Sequence, residues 1–383
     1  LNSTGTASYA AGSGTNTLTF NYTVLALETA ADLDYSAVGS LALAGSTIRD
    51  TALNNADLTL PAPATLGSLG FNKDIKIDTT APTITAITSS SLDATYGIGS
   101  TVNVTVTFSE AVTLTGGNLL IDLNSSTGGS AEVIIASINN AFTAVGTYTV
   151  IAGHTSATLD ANIPLTLSAG ILTDAAGNSA NLAGVAPNID LASNIAIDGI
   201  RPTVTGVDSA TTLDGTYIVG QNINVEITFS EAVNVTGTPQ LTLETGVTDA
   251  VVNYSGGTGT NVLTFTYTVA AGHESADLDY ASVSALVLNS GSIKDASAGN
   301  DALLTLPTVA GVNSLSFNRN FVIDGKIPTI TNVTSTTANG AYNAGNVIAI
   351  QVTFSETVFV AAGVPALALN STGTASYAAG TGT

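Results

Sequence analysis

One short pattern recurs along the chain and constrains its fold more than any other feature. It reads Ile77-Asp78-Thr79-Thr80-Ala81-Pro82-Thr83, then Ile197-Asp198-Gly199-Ile200-Arg201-Pro202-Thr203, then Ile323-Asp324-Gly325-Lys326-Ile327-Pro328-Thr329. Proline lacks an N–H and fixes φ, so it suits a stiff connection between strands and not a strand interior. The prolines lie roughly 120 residues apart, a domain-sized repeat. Each copy therefore reads as a seam that ends one unit and opens the next.

The repeat also fixes the phase of both chain ends. Leu1 to Gly12 returns as Leu369 to Gly380, about three repeats later. We therefore expect 1–80 to be the back part of a domain, 81–200 and 201–327 to be complete domains, and 328–383 to be the front part of a fourth. If the two partial domains completed each other between subunits, the overlap would be redundant. A window on a longer array explains it more simply, and the absence of a start Met fits either such a window or a processed protein.

Within the repeats, strands are marked by alternation with a period of two. Leu18, Phe20, Tyr22 and Val24 alternate with threonine and asparagine, and Leu263, Phe265, Tyr267 and Val269 repeat the pattern. Val102, Val104, Val106 and Phe108 form a second such strand, repeated by Ile223, Val225, Ile227 and Phe229 and by Ile348, Ile350, Val352 and Phe354. Each copy of this second strand is expected to end at Phe-Ser-Glu, with Glu110, Glu231 and Glu356. No segment carries a helical period. About seven short strands per unit, separated by turns, predict an all-β protein of tandem immunoglobulin-like Greek-key β-sandwich domains, arranged as an extended rod.

Composition narrows the function classes. Only 9% of the 383 residues are charged, and the formal net charge is -21. Such a surface repels phosphate backbones and attracts divalent cations, so no nucleic-acid partner is expected. There is no Cys, so a staple outside the cell has to be something other than a disulfide. No apolar run reaches the length of a transmembrane helix, and no membrane insertion is expected in this segment. There is no Gly-x-Ser-x-Gly motif or nucleophile–base pair, so we do not expect an enzyme. His154 and His273 occupy matching positions where the first copy has Glu28, and exposed loop positions are expected for them.

Candidate ligands follow from the order of the strands. The seam aspartate ends the last strand of a unit. The Asp-Leu-Asp loop after the fifth strand should lie at the same pole. The glutamate of Phe-Ser-Glu should lie at the pole where the next unit begins. Stacking unit on unit predicts three groups of carboxylates: Asp34, Asp78 and Glu110; Asp160, Asp198 and Glu231; Asp279, Asp324 and Glu356. Asp32 and Asp277 share the loops, and the turn aspartates Asp174 and Asp295 belong to the pole of the glutamates and can join them. Carboxylates gathered in this way repel one another without a cation. Calcium takes roughly six to eight oxygen ligands, and extracellular modules bind it at roughly 10⁻⁴ to 10⁻³ M. With no thiolate and almost no histidine, zinc and copper are disfavoured. Arg201 and Lys326 lie inside two seams and are alternative partners for the acids.

The strings Thr228-Phe229-Ser230-Glu231-Ala232-Val233, Leu263-Thr264-Phe265-Thr266-Tyr267-Thr268-Val269 and Asp295 to Asn300 resemble the Ig-like repeats of giant bacterial surface proteins linked to swimming or adhesion. The arrangement of acids also resembles that of cadherins in geometry, although the cadherin motifs are absent. The resemblance implies a stalk or fibre region of a bacterial extracellular or cell-surface adhesin, rigidified by calcium at its interdomain seams. The neighbouring repeats are then its first partners. Two alternatives stay open at this point: a self-assembling extracellular filament subunit that binds other copies of the chain, and a glycan- or ice-binding module built on the regular threonine faces.

Overall fold

The computed structural model describes residues 1–125, 131–183 and 188–380. The protein is all-β, and among the described residues the helices are single turns at Leu69–Asn72, Ile189–Ala192 and Leu315–Asn318. A four-residue turn is too short to carry a helical period, which is why the pattern showed none. Each turn is capped at its start by a side chain, Ser68, Asn188 or Ser314.

The chain divides into two compact units, Leu1–Ile200 and Arg201–Thr383, at the second seam. Each has its own apolar core. The first is drawn from Ile84 through Ile197, the second from Val207 through Ile323. Residues 1–80 contribute little to either; Leu33 and Ile77 are their buried apolar side chains, and beyond Gly325 no described residue is buried.

The alternating strands form as the pattern requires. In the second unit Val204–Asp208, Asn222–Thr236, Thr260–Thr268, Ala250–Gly256, Gln240–Leu243 and Leu286–Val287 are hydrogen-bonded neighbours in that order. A smaller sheet runs Gly215–Ile218, Phe321–Asp324, Glu274–Ser275, with its first pair parallel. The first unit repeats the smaller sheet, as Ala94–Tyr96, Ile195–Asp198 and Thr155–Ser156, and keeps Ile84–Ser89, Thr101–Thr115 and Ala141–Thr149 side by side, while Thr166–Leu167, Leu119–Leu123 and Ala131–Ile135 form a separate sheet.

One expectation is corrected. The second strand of each complete repeat does not stop at Phe-Ser-Glu; it continues for 15 residues, as Thr101–Thr115 and Asn222–Thr236. The glutamate sits at a bulge within it. Register with the neighbouring strand slips between Thr107 and Val112, and between Thr228 and Val233. A bulge bends a strand and redirects its side chains. Ahead of the bulge Thr101–Thr115 pairs with Ile84–Ser89, and after it with Ile171–Thr173.

Candidate metal centre

The bulge places Glu110 where two neighbouring strands end. On one side lies the strand that leaves the seam. There the Thr83 N–H donates to Ser109 Oγ at 2.9 Å, and the Ser109 N–H donates to the Thr83 carbonyl at 2.8 Å. On the other side Thr173 pairs with Thr113, which brings the turn that starts at Asp174 alongside. Asn178 in that turn donates its N–H and its Nδ2 to the two carboxylate oxygens of Asp174, each at 2.8 Å, and its Nδ2 also reaches the Asp78 carbonyl at 3.0 Å. One carboxylate oxygen each from Asp78, Glu110 and Asp174 then lie within 4.8 Å of one another. Burial pushes the Glu110 carboxyl above the usual range, and the nearby charges of Asp78 and Asp174 push it the same way.

The second unit builds the same corner. The Thr203 N–H donates to Ser230 Oγ at 3.0 Å, and Val233 pairs with Asp295. Oxygens of Glu231 and Asp295 come within 4.8 Å. Asp295 is buried; its Oδ1 accepts from the Ser297 N–H and hydroxyl at 2.7 and 2.8 Å, while its Oδ2 is buried with no hydrogen bond. A buried carboxylate oxygen that lacks a donor is costly, and a cation is one way to satisfy it. The donor set is entirely oxygen, so it fits a hard cation such as calcium or magnesium better than a soft one. The seam aspartates share one local conformation: Asp78 Oδ1 accepts from the Thr80 N–H, Asp198 Oδ1 from Ile200 and Asp324 Oδ1 from Lys326.

The loop aspartates behave differently from expectation. Asp34 does not join Asp78 and Glu110; Asp174 takes that place. The buried Asp34 carboxylate accepts the Tyr35 N–H at 2.8 Å and the Ala64 N–H at 2.9 Å. Burial raises its pKa, but these donors, with Ser68 and the Gly70 N–H, outweigh burial and hold it below the ordinary value. Asp279 repeats the arrangement with the Tyr280 and Ala310 N–H groups and the Ser316 hydroxyl. Asp160 accepts the Ala161 N–H and lies near Asp190, and burial, the larger cause, together with that charge holds its carboxyl above the ordinary value. These aspartates anchor their loop to the segment around the helical turn that precedes the last strand. Asp32 and Asp277 are exposed beside them.

At the third seam Asp324 is exposed, and Lys326 pairs with Glu274 at 2.5 Å, the acid partner that a basic residue within the seam made plausible. Glu356 lies just past Ile350–Phe354, and the Thr329 N–H donates to Ser355 Oγ at 3.0 Å.

The histidines are not exposed loop residues. His154 is buried, with Nδ1 2.7 Å from the Tyr148 hydroxyl, and half-buried His273 meets Tyr267 at 2.9 Å. Glu28 receives the Tyr22 hydroxyl at 2.7 Å. What recurs is a polar partner for the tyrosine at this position of the repeat, so a carboxylate and an imidazole interchange.

The serine of Phe-Ser-Glu and Asn178 were the residues that sequence reasoning missed. Their signal was present: the serine precedes the glutamate in all three copies.

No protein-family model and no curated protein matches the chain. Among the described residues, no helix is long and apolar enough to cross a membrane.

Proposed function

We propose that this chain is a structural repeat region, a stalk or fibre, of a large bacterial extracellular or cell-surface adhesin. Each repeat reads as an immunoglobulin-like sandwich: Val204–Asp208, Asn222–Thr236 and Thr260–Thr268 stand side by side like the first, second and fifth strands of one such sheet. The observation that carries the proposal is the corner at the first seam. Asp78, from the end of one repeat, comes within 4.8 Å of Glu110 and Asp174 of the next.

Calcium is the ion we propose for this corner. Asp78, Glu110 and Asp174 would hold it, and Glu231 and Asp295 form the corresponding pair within the second unit. The bound ion would offset the mutual repulsion of the carboxylates. The Thr83–Ser109 bonds and the Asn178 bridge already fix the strands that carry these acids, so little further ordering is needed on binding. With calcium the repeats hold a fixed relation; without it the acids push apart and the seam flexes. Small-angle scattering of the chain with calcium and with chelator tests this. A longer, stiffer particle in calcium supports it, and identical profiles refute it.

A further inference from the structure

We propose that the first complete repeat carries a binding site for a sugar residue, in a cleft between Ala131–Ile135 and Ala141–Thr149. In the second unit the corresponding strands, Ala250–Gly256 and Thr260–Thr268, join through Tyr254 with Phe265 and Gly256 with Thr264. In the first unit the two strands belong to different sheets. Gly146 stands where the second unit has Phe265. A Cβ there would lie 2.2 Å from Val133 Cγ1 and 3.0 Å from Ile135 Cγ1, so the inward side chains of one strand close directly on the backbone of the other. Beside this contact lies a cleft of about 350 Å³, lined by Glu132, Ile134, Thr147, Thr149, Ile151 and His154, with Tyr148 behind the histidine.

The histidine carries an unmet hydrogen bond. His154 is 2% exposed, and its Nε2 is buried with no hydrogen-bond partner among the described residues. Its Nδ1 lies 2.7 Å from the Tyr148 hydroxyl. The matching loop of the second unit shows which nitrogen bears the hydrogen. There the Ala270 N–H donates to His273 Nδ1 at 3.3 Å, and the Tyr267 hydroxyl lies 2.9 Å from the same atom. A nitrogen that accepts from a main-chain N–H bears no hydrogen, so the neutral imidazole keeps it on Nε2. With the same tautomer, His154 accepts from Tyr148 and holds an Nε2–H that has no acceptor. Buried polar groups are nearly always paired, and a lone donor on the wall of a cleft is a group for a ligand to satisfy.

The other lining groups narrow the ligand. Partly exposed Glu132 offers a carboxylate, which only accepts hydrogen bonds. The ligand therefore accepts from His154 and donates to Glu132, and a hydroxyl group can do either. Thr147 and Thr149 add exposed hydroxyls, while Ile134 and Ile151, 55% and 50% exposed, offer apolar surface to C–H groups. An anion is repelled by Glu132 in a chain of net charge -21. A simple cation has no lone pair for the Nε2–H, and an apolar molecule satisfies neither polar group. A neutral compound with several hydroxyls on a carbon frame meets every demand, and a sugar residue is such a compound. The volume lies at the small end of the roughly 300–1,000 Å³ of ligand sites, enough for one residue. The second unit has Val251 and Asn253 in place of Glu132 and Ile134, so it lacks the carboxylate. Neither calcium nor the stalk reading enters this assignment.

The chain has two histidines, so the imidazoles themselves can report the test. The 383-residue chain with isotope-labelled histidine is followed by nitrogen NMR, and His273→Gln identifies the His154 signals. The probes are the methyl α-glycosides of glucose, galactose, mannose and N-acetylglucosamine, with sodium acetate and methylammonium chloride as the anionic and cationic arms. At least one glycoside should move the His154 Nε2 signal along a saturable curve, half-complete near about 1 mM, and leave His273 unmoved. Glu132→Gln should weaken this binding at least about tenfold, since it removes a charged acceptor. Without sugar that variant should keep the wild-type His154 signals, which separates lost binding from lost fold. A free His154 with its hydrogen on Nδ1 overturns the proposal. So does the lack of a saturable shift with all four glycosides, an equal shift of both histidines, saturation by acetate or methylammonium instead, or undiminished affinity in Glu132→Gln.

Discussion

Glu110 stands between Asp78 and Asp174, and burial together with those charges raises its pKa from the ordinary 4.5. The folded state thus binds this proton more readily than the unfolded one. Without metal, stability from this site is greatest at low pH and declines as pH rises from about 4.5 through the raised value. Calcium needs the deprotonated form, so its effect follows the opposite course. Thermal unfolding of wild type and Glu110→Gln across this range should show the variant gaining on wild type as pH rises in chelator. In calcium at neutral pH the order should reverse. Free calcium at a hundredfold excess over Kd should add about 2.7 kcal/mol at such a site, and Glu110→Gln should lose it. Asp279 is expected to separate structure from binding. Asp279→Ala strips acceptors from the Tyr280 and Ala310 N–H groups and should cost about 1–3 kcal/mol in denaturant unfolding, with calcium titration unchanged. Of the expected ligands at the first seam, Asp78 and Glu110 were legible because they recur at fixed places in the repeat. The turn aspartate Asp174 was expected to be able to join them; that Asp34 stays out of the group was not legible. An aspartate in a loop looks the same in sequence whether its oxygens meet backbone N–H groups or face a cation.

Among the elements, the long strands carry most of the design. Their alternation was readable, and the buried residues are those expected: Val102, Val104, Val106 and Phe108 in one copy, Ile223, Val225, Ile227 and Phe229 in the other. The bulge was not readable, because the residues through it keep a plausible alternation while the neighbouring strand slips. It nevertheless decides that Glu110 sits in mid-strand between two strand ends. The last strand depends on a close approach. A Cβ on Gly325 would lie 2.4 Å from the Ala270 carbonyl oxygen and 2.6 Å from that of His273; on Gly199 it would lie 2.4 Å from the carbonyl of Ile151. Backbone atoms cannot step aside as side chains do. Gly325→Ala should therefore cost about 1–3 kcal/mol, read as a lowered denaturant midpoint with an unchanged slope. At the first seam Thr79 occupies this place and its hydroxyl reaches the Glu28 carbonyl at 3.2 Å, so Thr79→Ala should be tolerated far better.

For the whole molecule, two separate cores and two sparsely buried ends predict uneven protection. Hydrogen exchange in dilute solution should be slow along Asn222–Thr236 and Thr260–Thr268 and fast along Ile350–Phe354 and Thr19–Asn21, since exposed ladders open at little cost. Equal protection in all four strands would contradict the burial pattern. The sequence by itself determined the all-β character, the strand faces and the positions at which acids recur. All of these are properties of local alternation and of a repeat compared with itself. Only the tertiary structure decided which acids share a corner and that the histidines serve core tyrosines. Those outcomes depend on which strands become neighbours across more than a hundred residues, and the distances that set them are not written in any local run of the chain.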